Sequence, residues 1–165
     1  MLLRRLSSRD DRSSFSCGDP KLDAFFRSYA GQHQERRVSA TYVVVEESHI
    51  LGFVTVTAGT VTRNSLYGPF RTLPPFPLPV LLLARLGVAS DVQRQGMGKL
   101  LLQHTLRLVR EMSELVGCIG VIVDAKPTAT GFYERLGFNR ISAIEPIEGT
   151  RFFLPVAAVP PEVKK

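Results

Sequence analysis

The feature that most constrains this chain is an apolar run, Val80 to Val88, that halts at a polar turn and reopens as a leucine-rich helix. The joining residues read Ser90-Asp91-Val92-Gln93-Arg94-Gln95-Gly96-Met97-Gly98-Lys99. The first four N–H groups of a helix have no internal partner, and the aligned peptide dipoles add partial positive charge there. Gly96 and Gly98 remove side chains that would screen those amides, and Arg94 and Lys99 add charge. The stretch therefore predicts a strand-turn-helix able to hold a diphosphate. It lacks the Gly-Lys-Ser/Thr ending of a nucleotide P-loop and the three glycines of a dinucleotide fingerprint. An ordinary helix-start turn could carry the same two glycines.

Gln93-x-x-Gly96-x-Gly98 in this setting resembles the pyrophosphate loop of the GNAT acetyltransferases, which bind acetyl-coenzyme A. The resemblance implies coenzyme contacts from Gln93, Arg94, Gln95, Gly96, Met97, Gly98 and Lys99. In that family the preceding strand splays and its backbone pairs with the pantetheine arm, which implies Leu86 and Val88 as main-chain ligands. Many members carry an acidic residue directly after this strand, where this chain has Ala89. Two further stretches resemble the same family, in the expected order. Phe15-x-Cys17-Gly18 through Leu22-Asp23-x-Phe25-Phe26 to Ala30 and Gln32 is similar to the opening of the GNAT toxins of bacterial toxin–antitoxin pairs. Phe132-Tyr133-x-x-x-Gly137-Phe138 resembles the helix after the fifth strand, where the tyrosine hydroxyl lies beside the coenzyme sulfur. That implies Phe132 and Tyr133 as coenzyme contacts and Tyr133 as the donor to the leaving thiolate.

The implied fold is α/β (α+β), a GNAT acyl-CoA N-acyltransferase fold with a mixed, mostly antiparallel central sheet flanked by helices. At 165 residues, 44% of them hydrophobic, one domain over 1–165 suffices, with 156–165 expected to be a flexible tail. Lys and Arg number 21 against 15 Asp and Glu, a formal net charge of +6 that suits an acidic partner. Two cysteines, Cys17 and Cys118, give neither a disulfide framework nor a metal cluster, so no metal is expected. Charges interrupt the opening Met-Leu-Leu-Arg-Arg-Leu where a signal peptide would be apolar, and no run is long enough to span a bilayer. These features predict a cytoplasmic protein without a membrane segment.

In chain order, Leu2–Leu6 reads as an edge strand and Asp19-Pro20 as a helix cap and first helical residue. Leu22, Phe25, Phe26 and Tyr29 recur at helical spacing and are expected in the core. Ala40–Glu46 and Ile50–Thr57 form a hairpin with a possible bulge at Gly52. Arg63 to Pro79, with five prolines, reads as a long loop without regular structure. The helix Gly98–Val116 is expected to bury Leu101, Leu108, Met112 and Leu115, with His104 a surface or packing residue. A strand at Cys118–Val123, a helix at Thr128–Phe138 and strands at Arg140–Ile144 and Arg151–Leu154 complete the reading.

No histidine or carboxylate pair stands out as a general base. A lysine acceptor, of pKa about 10.4, would need one. An α-amino group has a reference pKa of roughly 8, lowered further by an adjacent ester, and offers free amine near neutrality. Aminoacyl-tRNA presents such an amine on a polyanion, and the resemblance implies acetylation of charged tRNA and arrest of translation. It also implies a partner antitoxin of the ribbon-helix-helix type and a homodimer. Arg27, Arg36, Arg37, Arg71 and Arg85 are the candidate tRNA contacts, chosen by charge and expected placement. An acetyltransferase of a small amine, protein N-terminus or lysine remains an alternative, as does a coenzyme- or nucleic-acid-binding module without catalysis.

Overall fold

Asp19 caps the first helix as the sequence predicts. Its side chain accepts from the Lys21 and Leu22 amides at 3.0 and 3.3 Å, and Pro20 opens α1 (Pro20–Ser28). Such a cap contributes about 1 kcal/mol. The expected apolar stripe ends early: Phe25 and Phe26 are buried and Leu22 half-buried, but Tyr29 is 53% exposed. The helix breaks at Tyr29, and the fully buried Ala30 begins α2 (Ala30–Glu35).

The computed structural model describes residues 1–159. Its strands are β1 (Leu2–Arg5), β2 (Ala40–Glu46), β3 (His49–Val61), β4 (Leu78–Val88), β5 (Gly120–Ala125), β6 (Asn139–Ile141) and β7 (Thr150–Pro155). Two further helices, α3 (Met97–Leu115) and α4 (Thr130–Arg135), follow β4 and β5. The strands form one sheet in the order β1-β2-β3-β4-β5-β7-β6, with β1 at the edge as expected. β1 and β2, β2 and β3, β5 and β7, and β6 and β7 all pair antiparallel. The fold is the mixed, mostly antiparallel α/β arrangement that the sequence predicts.

The bulge falls beside Gly52. Val44 pairs with Gly52 but Val45 with Ile50, so Leu51 is the extra residue. A Cβ on Gly52 would lie 3.0 Å from a Leu101 methyl and 3.1 Å from the Gly87 carbonyl oxygen, which explains the missing side chain.

Residues group into two compact units, one of Met1–Thr57 with Leu83–Thr105, the other of Ala58–Leu82 with Leu106–Lys165. The first is built on Phe15, Phe26 and Phe53, whose rings pack at centroid distances of 4.3 to 5.6 Å with Leu6, Phe25, Ala30 and Val43 around them. Burying a side chain of this size contributes about 2–3 kcal/mol. The second unit packs Val61, Leu66, Leu78, Val80 and Ile122 around Phe153, with Tyr67 and Phe70 edge-on to that ring.

Several boundaries differ from expectation. The 63–79 stretch carries 3-10 turns at Arg63–Ser65 and Gly68–Thr72, held by Leu66 in the core and by an Arg63 hydrogen bond to the Leu73 carbonyl at 3.0 Å. On α3 the buried stripe runs through Leu101, Leu102, Thr105 and Val109, at the spacing of one helical face. Leu108 and Met112 are half-buried beside it, and Leu115, in the last turn, is 79% exposed. The 128–138 helix is shorter than expected, a 3-10 turn at Pro127–Ala129 followed by α4, and β6 spans three residues. Within the expected tail, Val156–Ala158 forms a 3-10 turn and Val159 is 4% exposed, its carbonyl accepting from the Arg110 guanidinium. The rest of that tail, 160–165, lies outside the described residues. No helix among the described residues is long and apolar enough to cross a membrane.

Candidate functional site

The glycine loop belongs to the first unit. β4 delivers it: Leu86 and Val88 are half-buried, and Ala84, on the same face, is exposed. An exposed side chain on an interior strand marks a face that no helix covers at that point. After β4, the Ala89 amide donates to the Leu51 carbonyl at 2.9 Å, and a 3-10 turn at Ser90–Val92 leads to Gln93. The Gln93 side-chain amide donates to the Val88 carbonyl at 3.0 Å and to the Cys17 carbonyl at 2.8 Å. Gln93 therefore braces the loop with its side chain, leaving its exposed backbone side for a ligand.

Arg94 and Gly96 both have left-handed backbones, with φ of +63° and +86°. A Cβ at Gly96 would meet nothing within 4 Å, so open space lies beside this residue. α3 starts immediately after, and its first-turn amides at Met97, Gly98 and Lys99 have no partner within the helix. Arg94, Gln95, Gly96 and Lys99 are exposed, while Met97 and Gly98 are half-buried. The turn thus presents free amides, two cations and no obstructing side chain, the combination a diphosphate needs.

A cleft of about 970 Å³ in this unit borders Ser16 and the Ala89–Val92 approach to the loop and is lined elsewhere by Asp11, Glu46, Glu47 and His49. Its carboxylates disfavour phosphate on that side.

The five candidate RNA-contacting arginines divide. Arg36 and Arg37 sit exposed at the end of α2, and Arg37 adopts φ +62°. Arg27 donates to the Phe15 carbonyl, and the half-buried Arg85 stacks its guanidinium 3.8 Å above the Phe25 ring. Burial lowers the Arg85 pKa from its ordinary value, yet it stays charged. These two are partly committed to packing α1. Arg71 is exposed in the second unit, in the Gly68–Thr72 turn. His104 packs its ring 4.4 Å from that of Tyr42, the packing role expected of it.

Tyr133 lies in the second unit, on α4. It is 5% exposed and surrounded by Phe132, Phe138 and Phe152 at ring distances of 5.1, 5.3 and 6.2 Å. Gly137, at φ +89°, ends the helix and lets the Phe138 amide return to the Tyr133 carbonyl at 3.1 Å. Burial pushes the phenol up to about 12, so it stays protonated and able to donate at any working pH. Asp124, at the end of β5, is occupied by Arg151 through two bonds of 2.7 and 3.0 Å, and Arg151 also reaches Glu145 at 2.6 Å. Cys17 is pushed up to about 11 and Cys118 is raised as well, both chiefly by burial, so neither offers a thiolate.

Sequence reasoning missed the supports of the loop. The Ser90 amide and hydroxyl both donate to the Ser16 carbonyl, at 2.9 and 3.1 Å. Asp23, only 6% exposed, holds the Ser16–Cys17 segment. The signal available was a carboxylate placed among apolar residues on the buried face of α1.

The profile of the Acetyltransferase (GNAT) domain matches residues 37–140. A tRNA-acetylating toxin of Mycobacterium tuberculosis (strain ATCC 25618 / H37Rv) is 32% identical, covering 87% of this chain and 87% of that protein. The probable toxin TacT of Sinorhizobium fredii (strain NBRC 101917 / NGR234) is 24% identical over 92% of this chain and 88% of its own length. Among solved structures, AtaT complexed with acetyl-methionyl-tRNAfMet superposes with a TM-score of 0.87 at 24% identity, covering 96% of each chain. A tyrosine-to-phenylalanine mutant of KacT gives 0.83 at 25% identity, covering 96% of this chain and 98% of its own.

Proposed function

This chain belongs to the GNAT acetyltransferase family, and on that premise we propose that it is a toxin that moves acetyl from acetyl-CoA to the amino group of aminoacyl-tRNA. The observation that carries this reading is its 32% identity, over 87% of the chain, to a tRNA-acetylating toxin. The net charge of +6 suits a polyanionic acceptor. A partner antitoxin of the ribbon-helix-helix type, a homodimer and a cytoplasmic location belong to the same proposal.

Acetyl-CoA supplies the acetyl group as a thioester: the amine nitrogen forms the new amide bond, the carbon–sulfur bond breaks, and the thiolate takes a proton. The loop from Gln93 to Lys99 holds the diphosphate, and the backbone of Leu86 and Val88 orients the pantetheine arm. Tyr133 donates to the departing sulfur. A phenol at about 12 is a far weaker acid than a thiol near 8.5, so its contribution is a strong hydrogen bond, with solvent supplying the proton in the end. The acceptor amine, its pKa below about 8, loses its proton to water without a protein base.

The decisive experiment is incorporation of labelled acetyl from acetyl-CoA into bulk aminoacyl-tRNA, with uncharged tRNA and free amino acids as controls. Label confined to charged tRNA is expected. No label there, with acetyl-CoA binding demonstrated, would move the acceptor to a small amine or a protein terminus.

Arg36 and Arg37 provide a second test. Reversing both to Glu should weaken tRNA binding at least about tenfold and flatten the slope of log K against log salt by about 1.5, the loss of two phosphate contacts. Fluorescence anisotropy across a salt series reads this directly, and an unchanged slope would remove both residues from the interface.

A further inference from the structure

We infer that Asp23, buried in α1, positions the coenzyme loop; this rests on reading Gln93 to Lys99 as that loop. A carboxylate only 6% exposed must be hydrogen-bonded to be tolerated. Asp23 meets that need within its own unit. One carboxylate oxygen accepts from the Cys17 amide at 2.9 Å, and the other from the Ser16 hydroxyl at 3.5 Å.

The same two residues carry the loop. The Ser16 carbonyl accepts from the Ser90 amide and hydroxyl, and the Cys17 carbonyl from the Gln93 side chain at 2.8 Å. Ser90 and Gln93 lie on the approach to the left-handed Arg94 and Gly96. The loop therefore hangs from a segment whose backbone Asp23 fixes. Phe15, packed between Phe26 and Phe53, anchors the start of that segment but leaves Ser16 and Cys17 to the carboxylate. Asp23 acts through these residues and touches no reacting atom, which makes it a positioning residue.

The prediction is that coenzyme affinity depends on α1. Asp23→Ala removes the acceptor, lets the segment drift, and should raise the acetyl-CoA Kd about tenfold while kcat at saturating coenzyme stays within about twofold. Asp23→Asn retains an acceptor oxygen opposite the Cys17 amide and should recover Kd to within about threefold of wild type. Val43→Ala, a buried change in the same core, controls for general loss of stability and should lower Tm without moving Kd. Gln93→Ala breaks the next bond in the chain while leaving Asp23 in place, and should raise Kd like Asp23→Ala even if that variant fails to fold.

Isothermal titration with acetyl-CoA, beside a melting curve for each variant, reads all of these. Gly96→Asp in the same series tests the loop itself: wild-type binding there would sink the loop reading whatever Asp23 does. With binding lost in Gly96→Asp, the positioning role is overturned by wild-type Kd in Asp23→Ala or Gln93→Ala, by no recovery in Asp23→Asn, or by an equal rise in Val43→Ala.

Discussion

Gly96→Asp should abolish acetyl-CoA binding, raising Kd several thousandfold, while the protein still folds. Two effects combine. Gly96 sits at φ +86°, where a side chain costs roughly 1 kcal/mol of backbone strain. A carboxylate about 4 Å from a phosphate, at the effective dielectric of a protein surface, adds about 4 kcal/mol of repulsion. Folding should survive because a Cβ there meets no protein atom within 4 Å. Gly96→Ala separates the two effects: it retains the strain alone and should weaken binding about fivefold. Calorimetric titration of both variants decides the matter. Equal affinity in Gly96→Asp and wild type would mean that the diphosphate binds elsewhere.

Tyr133→Phe should lower kcat about 100- to 1000-fold with the acetyl-CoA Kd within about twofold of wild type. The substitution keeps the ring among Phe132, Phe138 and Phe152 and removes only the hydroxyl, so neither packing nor coenzyme affinity should suffer. The pH profile gives an independent check. A phenol pushed up to about 12 keeps its proton as pH rises, so the donor form persists where an ordinary tyrosine would begin to ionise. With an acceptor linked through a stable amide, kcat/KM should climb as the acceptor amine loses its proton and then stay level to about pH 10. Turnover by Tyr133→Phe equal to wild type would remove the hydroxyl from the mechanism. A descending limb near pH 9, absent from the variant, would show a phenol that titrates far lower than its burial dictates.

What could be read in advance was whatever depends on neighbours in sequence. The Asp19 cap, the Gly52 bulge and the strand-turn-helix around Gln93 are each fixed within a few residues by backbone chemistry. Tyr133 and the loop were identified as parts of one family pattern without any knowledge of their surroundings. The misses need tertiary information. Tyr29 has the right spacing to be buried, but the helix ends beneath it, and nothing in a periodicity count announces that break. Leu115 shows the same limitation, being apolar, helical and exposed. Arg27 and Arg85 stand in the sequence as candidate tRNA contacts chosen by charge, and no sequence count shows that one donates to a carbonyl and the other covers an aromatic ring. Asp23 is the clearest case: its partners Ser16 and Cys17 are nearby in sequence, but Ser90 and Gln93, which give those bonds a purpose, lie more than sixty positions away.

Neither compact unit is a continuous piece of chain: β3, β4 and α3 each give residues to both. No single cut therefore separates the coenzyme loop's unit from the rest, and complementation by two halves divided at one point would have to rebuild both cores at once. The interleaving also imposes a timetable on synthesis. Thr105 completes the unit that carries Gln93 to Lys99, whereas Tyr133 and the strands that follow it are translated afterwards. A ribosome making this protein thus holds every residue from Gln93 to Lys99 before Tyr133 is added.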